Sequence, residues 1–402
     1  MANLLLPVLP GVALACSGSG HLLGSAATHT DAGLSDGGAA EAGATCSGLG
    51  SPIRLPAPAG PTCAPTLAQR AHRFALCLCD SLNTTVRINT DSFDSTGAAI
   101  QAPPPAAVGI NGDLQSSNVV QVIGSVYVAG AGGIMTSERV VALGSLRAAG
   151  PMRTPAPGLI DVAGDAFAGG DIDGVLLVGG TLHVDPRADT STADISASAI
   201  VQEPVSVPPP CDCGPGFADI GAAIGTAVAR NDNAVAGISP DRLAAVTAST
   251  VLDVPCGSYA LTSIDAQQAL FFAVHGRALV AVAGDVVLRA GFTVTLDPGA
   301  ELDLLIGGRL LASGGNPIGS VTPPRFRIWI AGSQSIVLDD DPTVGALIHA
   351  PQAVVTSSAG LELSGALLAR SVAGGGTFNL HYDQATLSAG GACGEPAATA
   401  VP

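Results

Sequence analysis

From Thr84 to Val207 the chain repeats one phrase: a short apolar run, a glycine, a polar or small residue, then a second apolar run. Instances are Gly112-Asp113-Leu114, Gly124-Ser125-Val126-Tyr127-Val128, Gly144-Ser145-Leu146, Gly164-Asp165-Ala166-Phe167 and Gly180-Thr181-Leu182-His183-Val184, with the glycines stepping by 12, 20, 20 and 16. Short β-branched strands broken by glycine corners fit the rungs of a parallel solenoid. Units at such spacing cannot bury their faces alone and must stack. Glycine suits a corner because it takes positive φ without penalty. The phrase returns from Cys256 to Cys393, where Gly284, Gly308 and Gly332 recur at one constant interval. Later rungs are Gly345–Pro351 and Leu363–Arg370; at ~4.8 Å between rungs, five or six give a stack ~25–30 Å tall.

The expected fold is all-β: a parallel, right-handed β-helix in two segments, 66–207 and 251–395, with a small helical insert between them at 208–250. The pattern leaves open whether the two segments form one continuous stack. Pro208-Pro209-Pro210-Cys211 is a hinge, after which Phe217, Ile220, Ile224 and Val228 fall on one helical face. Asn231-Asp232-Asn233 then breaks the helix, and Ser239-Pro240 reads as the start of a second short helix through Leu243. The insert is expected on an end or side of the solenoid, with capping of a terminal rung its natural role, since open strand edges invite aggregation. Leu67–Asp80 reads equally as helix or strand, and 396–402 as a disordered tail.

The N-terminus changes the picture. An apolar run, Leu4 to Ala15, ends at Cys16 and is followed by Ser17-Gly18-Ser19-Gly20. This is how a lipoprotein signal reads: 1–15 is removed and Cys16 carries the lipid. The run departs from the usual pattern in lacking Lys or Arg before it and in having Ala13 where Leu is commoner. The plainer alternative is a secretory signal with Cys16 discarded or left free. Both export the chain, the first to the outer membrane or cell surface of a Gram-negative bacterium. Residues 16–65, rich in Ser, Gly, Ala, Thr and Pro, are expected to be a flexible stalk reaching roughly 35–40 Å. No later run approaches the ~20 apolar residues of a membrane span.

Nine cysteines support export. Setting Cys16 aside leaves eight, suited to four disulfides in an oxidising compartment. Cys256 and Cys393 bracket the second β segment, so Cys256–Cys393 would tie its ends. Cys77-Leu78-Cys79 and Cys211-Asp212-Cys213 each place two thiols on one face if extended. Cys77 and Cys79 could then meet Cys211 and Cys213 as twin bridges, leaving Cys46–Cys63. A four-thiolate zinc site is the rival reading, though metal motifs more often use a two-residue gap.

The net charge is −16 and every basic residue is Arg. That balance argues against nucleic acid or an anionic membrane surface as partner. Aromatics are 3% of the chain with one tryptophan, Trp329, so stacking platforms for sugars are scarce. Asp339-Asp340-Asp341 offers the clustered oxygens calcium wants, against a plain solvated acidic turn. Gly169-Gly170-Asp171-Ile172-Asp173-Gly174 is one copy of a calcium-roll-like loop, against an ordinary corner. His381-Tyr382-Asp383 has acid–base residue types, but alternation splits them between two faces. Arg325, Arg327, Asp339 and Asp341 could gather outside a β-helix as in pectin-lyase-like enzymes. No nucleophile elbow, phosphate loop or histidine metal pair is present.

The rung phrases resemble those of bactofilin-type, polymer-forming β-helices. The body, over roughly residues 70 to 395, resembles a family of myxobacterial surface lipoproteins. The matching stretches are Cys77-Leu-Cys79, Thr90-Asp-Ser-Phe-Asp94, Pro209-Pro-Cys-Asp-Cys213, Asn231-Asp-Asn233, Pro255-Cys-Gly-Ser-Tyr259, Pro298-Gly-Ala-Glu-Leu-Asp303 and Leu380-His-Tyr-Asp383. The resemblance implies a parallel β-helix, export and lipid anchoring, and supplies no catalytic residues. The expected function is an exported, lipid-anchored, non-enzymatic scaffold or spacer without cofactor, self-associating through its solenoid ends. An adhesin for surface polysaccharide or protein, and a carbohydrate-active β-helix enzyme, are the alternatives. A cleft lined by carboxylates would favour the enzyme, a flat uncapped end rung the polymer.

Overall fold

The computed structural model describes residues 48–58, 60–100, 106–214 and 216–393. The body is a β-solenoid of about 14 turns of parallel strands, roughly 65 Å at ~4.8 Å per turn. Three faces run along it. The long strands Thr343–Ser357 and Gly360–Gly374 bend through all three in a single pass, and elsewhere each face takes a short strand of its own.

The two segments form one stack, but not in chain order. On face 2 an uninterrupted column of register partners runs Tyr259, Val280, Leu304, Ile328, Ile348, Leu367, then Leu76, Val108, Val126, Leu146, Ala166, Leu182 and Ile200. The chain therefore enters the stack at its middle. The first segment builds from the Leu76–Leu78 strand to one end, and the strand Ala199–Gln202 is its last on face 2. The chain then returns along the outside, starts afresh at Thr250–Val254, and stacks back until Thr377–Asp383 pairs with Arg87–Phe93. This joint unites strands from near the two ends of the described chain.

Period and register agree where the glycines are a true ladder. Gly144, Gly164 and Gly180 donate to the carbonyls of Gly124, Gly144 and Gly164 at 2.8, 3.0 and 3.0 Å. None has positive φ. Close approach selects glycine here: a Cβ at Gly144 would lie 2.8 Å from the carbonyl carbon of Gly124. Gly112 belongs to a different corner, where it accepts from Gly130, so the first step of the series joined two separate ladders. In the second segment Val282, Ile306 and Ile330 stack in register, at the interval that Gly284 and Gly308 predict.

Face 2 is buried on both sides at mid-stack: all of Phe326–Ile330 is buried. Its outer side is covered by α1 (Ala64–Ala71), the returning strap near Cys211 and Phe217, and α2 (Ile220–Ala229). Leu67–Asp80 is thus helix first and strand after, α1 followed by Leu76–Leu78. Asp219 caps α2 by accepting from the Ala222 amide at 2.8 Å, which satisfies an otherwise orphan donor. Ile220, Ala223, Ile224 and Ala227 face the sheet, while Val228 points to solvent. The second helix is α3 (Asn233–Ala236), where Asn231–Asn233 was expected only to break one. Residues 240–245 are turns, not a helix from Ser239-Pro240.

Residues 48–58 and 60–65, assigned from sequence to the stalk, lie on the body. Arg277 donates its amide to the Leu49 carbonyl at 2.7 Å, Asp219 to Pro56 at 2.8 Å, and Arg54–Leu55 pairs with Thr62–Cys63. The bridges Cys77–Cys211 and Cys79–Cys213 are present as paired. Leu76 and Leu78 fill the core, so alternation turns both thiols outward onto the strap. Cys63 and Cys256 are each disulfide-bonded. Of the pairings expected for them, Cys46–Cys63 involves a residue outside those described, and Cys256–Cys393 rests on a Cys393 side chain that is likewise not described. Cys16 and the tail 396–402 also lie outside the described residues.

Candidate interaction surfaces

The two ends of the stack differ. At the end that begins with Thr250–Val254, the outer edge of Gly257–Leu261 is taken by α3 and the residue before it. Asn233 donates through Nδ2 to the Ala260 carbonyl at 2.7 Å and accepts the Ala260 amide through Oδ1 at 2.9 Å. Asp232 receives the Ser258 amide on its carboxylate at 2.8 Å and donates its own amide to the Ser258 carbonyl at 2.7 Å. Together they supply the bonds a further strand would make. On face 3, Val246 bridges Ala266, and Asp265 donates to Leu243. Thr250–Val254 alone has no outer partner among the described residues. The insert thus caps this end through α3 and the following turns, while α2 lies along the side.

At the opposite end, among the described residues, Ala193–Ser196 pairs only inward with Gly174–Leu177, and Ala199–Gln202 only inward with Thr181–Val184. Ile200 stands in register with fully buried Leu182, yet is 58% exposed. Val201 beside it is 39% exposed. Ala199–Gln202 carries no charge and no proline, the devices that usually blunt an edge.

A cleft of about 640 Å³ opens on the side of the capped end, between residues 51–56, Pro61, α2 and face 2. Arg54, Arg230 and Arg277 line it with Pro52, Ile53 and Tyr259; Asp232 is the one carboxylate among its lining residues. Arg277 donates to the Gly50 carbonyl at 3.1 Å. Burial pushes the Tyr259 phenol up to about 12, with Asp232 adding to the effect. The cleft offers cationic and apolar groups and lacks the carboxylate pair that glycoside chemistry uses.

Arg327 does not join Asp339 and Asp341 outside. It is buried beneath the 3₁₀ turn Pro323–Arg325, with Nε 2.7 Å from Asp303 Oδ1, Nη2 2.8 Å from Asp303 Oδ2 and Nη2 2.6 Å from Glu301. Trp329 donates to the same Asp303 at 2.8 Å. Burial opposes the charge, but the two carboxylates overturn that and raise the guanidinium pKa. Close by, His349 stacks on Phe217 at 5.1 Å, and its pKa is pushed down to about 4 by burial. His72, edge-on to His349, is also held well below its ordinary value by burial. Both are neutral members of the layer under α1. Sequence reasoning missed this cluster; the signal was the spacing of Asp303 and Arg327, one full turn apart, which places them one above the other.

The acidic candidates serve the stack. Asp340 accepts the Gly314 amide at 2.8 Å and Asp339 the Ser358 amide at 3.1 Å; Asp340 and Asp341 hold positive φ in the turn. In the glycine-rich loop, Asp171 accepts the Asp189 amide at 2.9 Å. No group of three or more metal-capable side chains occurs among the described residues. His381 faces outward at the joint, 2.6 Å from Asp91 through Nδ1 and bonded to Glu362 through Nε2. Tyr382 points in and donates to the His72 carbonyl at 2.8 Å.

Residues 217–388 match a family model described as a domain of unknown function, DUF7305. The match starts just ahead of α2 and ends beyond the joint strand, so it takes in the capped half of the stack and leaves out 76–202. No curated protein and no solved structure matches the chain.

Proposed function

We propose that this chain is an exported, lipid-anchored, non-enzymatic scaffold or spacer of a Gram-negative cell surface, tethered through Cys16. The observation that carries the reading is the single unbroken column of partners from Tyr259 to Ile200, reinforced by twin bridges of 134-residue separation. Such a stack has no internal hinge, and its side-chain layers resist bending. The paired disulfides suit an oxidising compartment. The acidic charge of −16 keeps such a rod soluble and away from anionic surfaces.

Two measurements test it. Small-angle scattering of the oxidised chain should show one rigid rod of roughly 65 Å; two lobes hinged at mid-length would overturn the spacer. Wild type should fractionate with membranes and incorporate a fatty-acyl label, and Cys16→Ala should do neither. Equal membrane association of both would remove the anchor. The arginine-lined cleft favours a second reading, an adhesin for acidic surface polymers, which would show as saturable binding weakened by salt.

A further inference from the structure

We infer that the open end, formed by Ala193–Ser196 and Ala199–Gln202, is a homodimer interface at which two copies meet end to end, and that growth stops at two. The inference deepens the scaffold reading and rests on it.

The edge cannot be left as it is at no cost. The last rung exposes Ile200 and Val201, and the inward position that every other turn of the column covers is open at Ile200. What fits is another β edge. The occupant cannot be the opposite end of a second copy, because Asp232 and Asn233 already hold the edge of Gly257–Leu261, and Leu243 and Val246 that of Ile264–Ala266. Same-sense addition, the route to a filament, is closed on two of the three faces. The remaining geometry is open end to open end, which is isologous and closes at a dimer.

A two-fold axis normal to face 2 keeps the cores aligned and makes the two Ala199–Gln202 strands antiparallel. Directly opposed residues then share a face. Centred on Ile200, the pairing sets Ile200 against its own counterpart over the core and Val201 opposite Ala199. Glu203 falls opposite Ala197, so no carboxylate meets a carboxylate across this pair. Edge-to-edge joining of separately built stacks already occurs within the molecule, though there in parallel: Thr377–Asp383 meets Arg87–Phe93 over seven residue pairs. Long-range repulsion between two chains of charge −16 opposes the contact, and salt screens it. The dimer therefore strengthens with ionic strength, opposite to binding at the cationic cleft.

Sedimentation velocity of the full oxidised chain over a concentration series, at low and at ~0.5 M salt, tests this. The expected result is a monomer–dimer equilibrium that shifts to dimer with salt. Ile200→Asp should weaken it at least tenfold with unchanged circular dichroism, and Val251→Asp at the other end should leave it alone. A wild-type monomer at every concentration, a ladder beyond two, or an Ile200→Asp dimer as tight as wild type would each overturn the inference. If Ile200→Asp loses its fold, Val201→Arg on the outer side of the same strand gives the same reading. The monomer's rod shape is read separately by scattering, so failure of the dimer leaves the spacer standing.

Discussion

The half of the stack that matches the family model and the half that does not are built to different cross-sections. In the capped half, register partners Val280, Leu304 and Ile328 are separated by equal, long turns. The core is filled by Phe272, Phe292 and Phe326, which contact edge to face at 5.0 and 6.1 Å. In the open half, the turns that separate Val126, Leu146, Ala166 and Leu182 are shorter, and the last is the shortest. There the core is Val, Leu, Ile and Ala with Met152, and Tyr127 is the one buried aromatic among the described residues of 76–202. Turn length sets lumen width, and side-chain volume must follow it. Towards the joint the wide half narrows, because the turn from Leu363 to Leu380 is shorter than those before it, so that the two halves meet with matching outlines. The wide half also carries the cover layer and the buried charges; the narrow half depends on backbone stacking.

The largest expected effect comes from untying the narrow half from its strap. Cys77–Cys211 and Cys79–Cys213 close nearly the same loop, so either alone supplies most of the chain-entropy gain. Replacing all four cysteines by serine should cost about 4–5 kcal/mol, whereas removing either pair alone should cost well under half of that. Urea midpoints of the three variants check this. Equal losses for one pair and both would mean that the second bridge closes no shared loop.

Next is Asp303 in the wide half. Asp303→Ala strips the buried Arg327 of its bidentate partner and Trp329 of its acceptor, leaving Glu301 as the one carboxylate at the guanidinium. A loss of about 3–5 kcal/mol is expected in chemical denaturation. Val140→Ala in the narrow core should cost only about 2 kcal/mol. A smaller loss for Asp303→Ala than for Val140→Ala would show that solvent reaches the cluster.

Gly144→Ala probes the narrow half's dependence on backbone contact. Its Cβ would lie 2.6 Å from Ser125 Oγ and 2.8 Å from the Gly124 carbonyl carbon. The overpacking should lower stability by about 1–3 kcal/mol. Gly225→Ala in α2 meets nothing within 4 Å and should raise it by up to about 1 kcal/mol. Thermal melts of the pair give opposite signs if close approach, rather than φ, selects glycine at the corners.

The rungs were legible because alternation and glycine spacing are local signals, and the twin bridges because Cys-x-Cys fixes which face both thiols take. The joint was not: nothing near Thr377–Asp383 points to Arg87–Phe93, which it meets only because two outlines match. Asp232 and Asn233 read as helix breakers because their role is to imitate a strand, which a one-dimensional pattern cannot display. Arg327 read as an exterior group because its partners, Asp303 and Glu301, lie a full turn away in the chain and meet it only through stacking.

The smallest effect sharpens the comparison at the joint itself. Burial of His381 disfavours its charge, but Asp91 from the narrow half and Glu362 from the wide half outweigh it and raise its pKa above the ordinary 6.5. A raised folded-state pKa gives stability that is complete below 6.5 and is lost as pH climbs through the folded value. His349, held down to about 4, has the opposite sign: as pH falls from 6.5 towards 4, the unfolded chain takes up a proton that the folded one refuses. Stability should therefore peak between the two limbs. His381→Asn should reduce the alkaline limb and His349→Phe the acid limb, to which buried His72 also contributes, read from urea midpoints across about pH 4.5 to 9. Because Asp91 and Glu362 sit on opposite sides of the joint, the alkaline loss should appear as hydrogen exchange in Arg87–Phe93 and Thr377–Asp383 before it reaches either half's interior. Uniform exchange through both halves would mean that the joint is no weaker than the turns it unites.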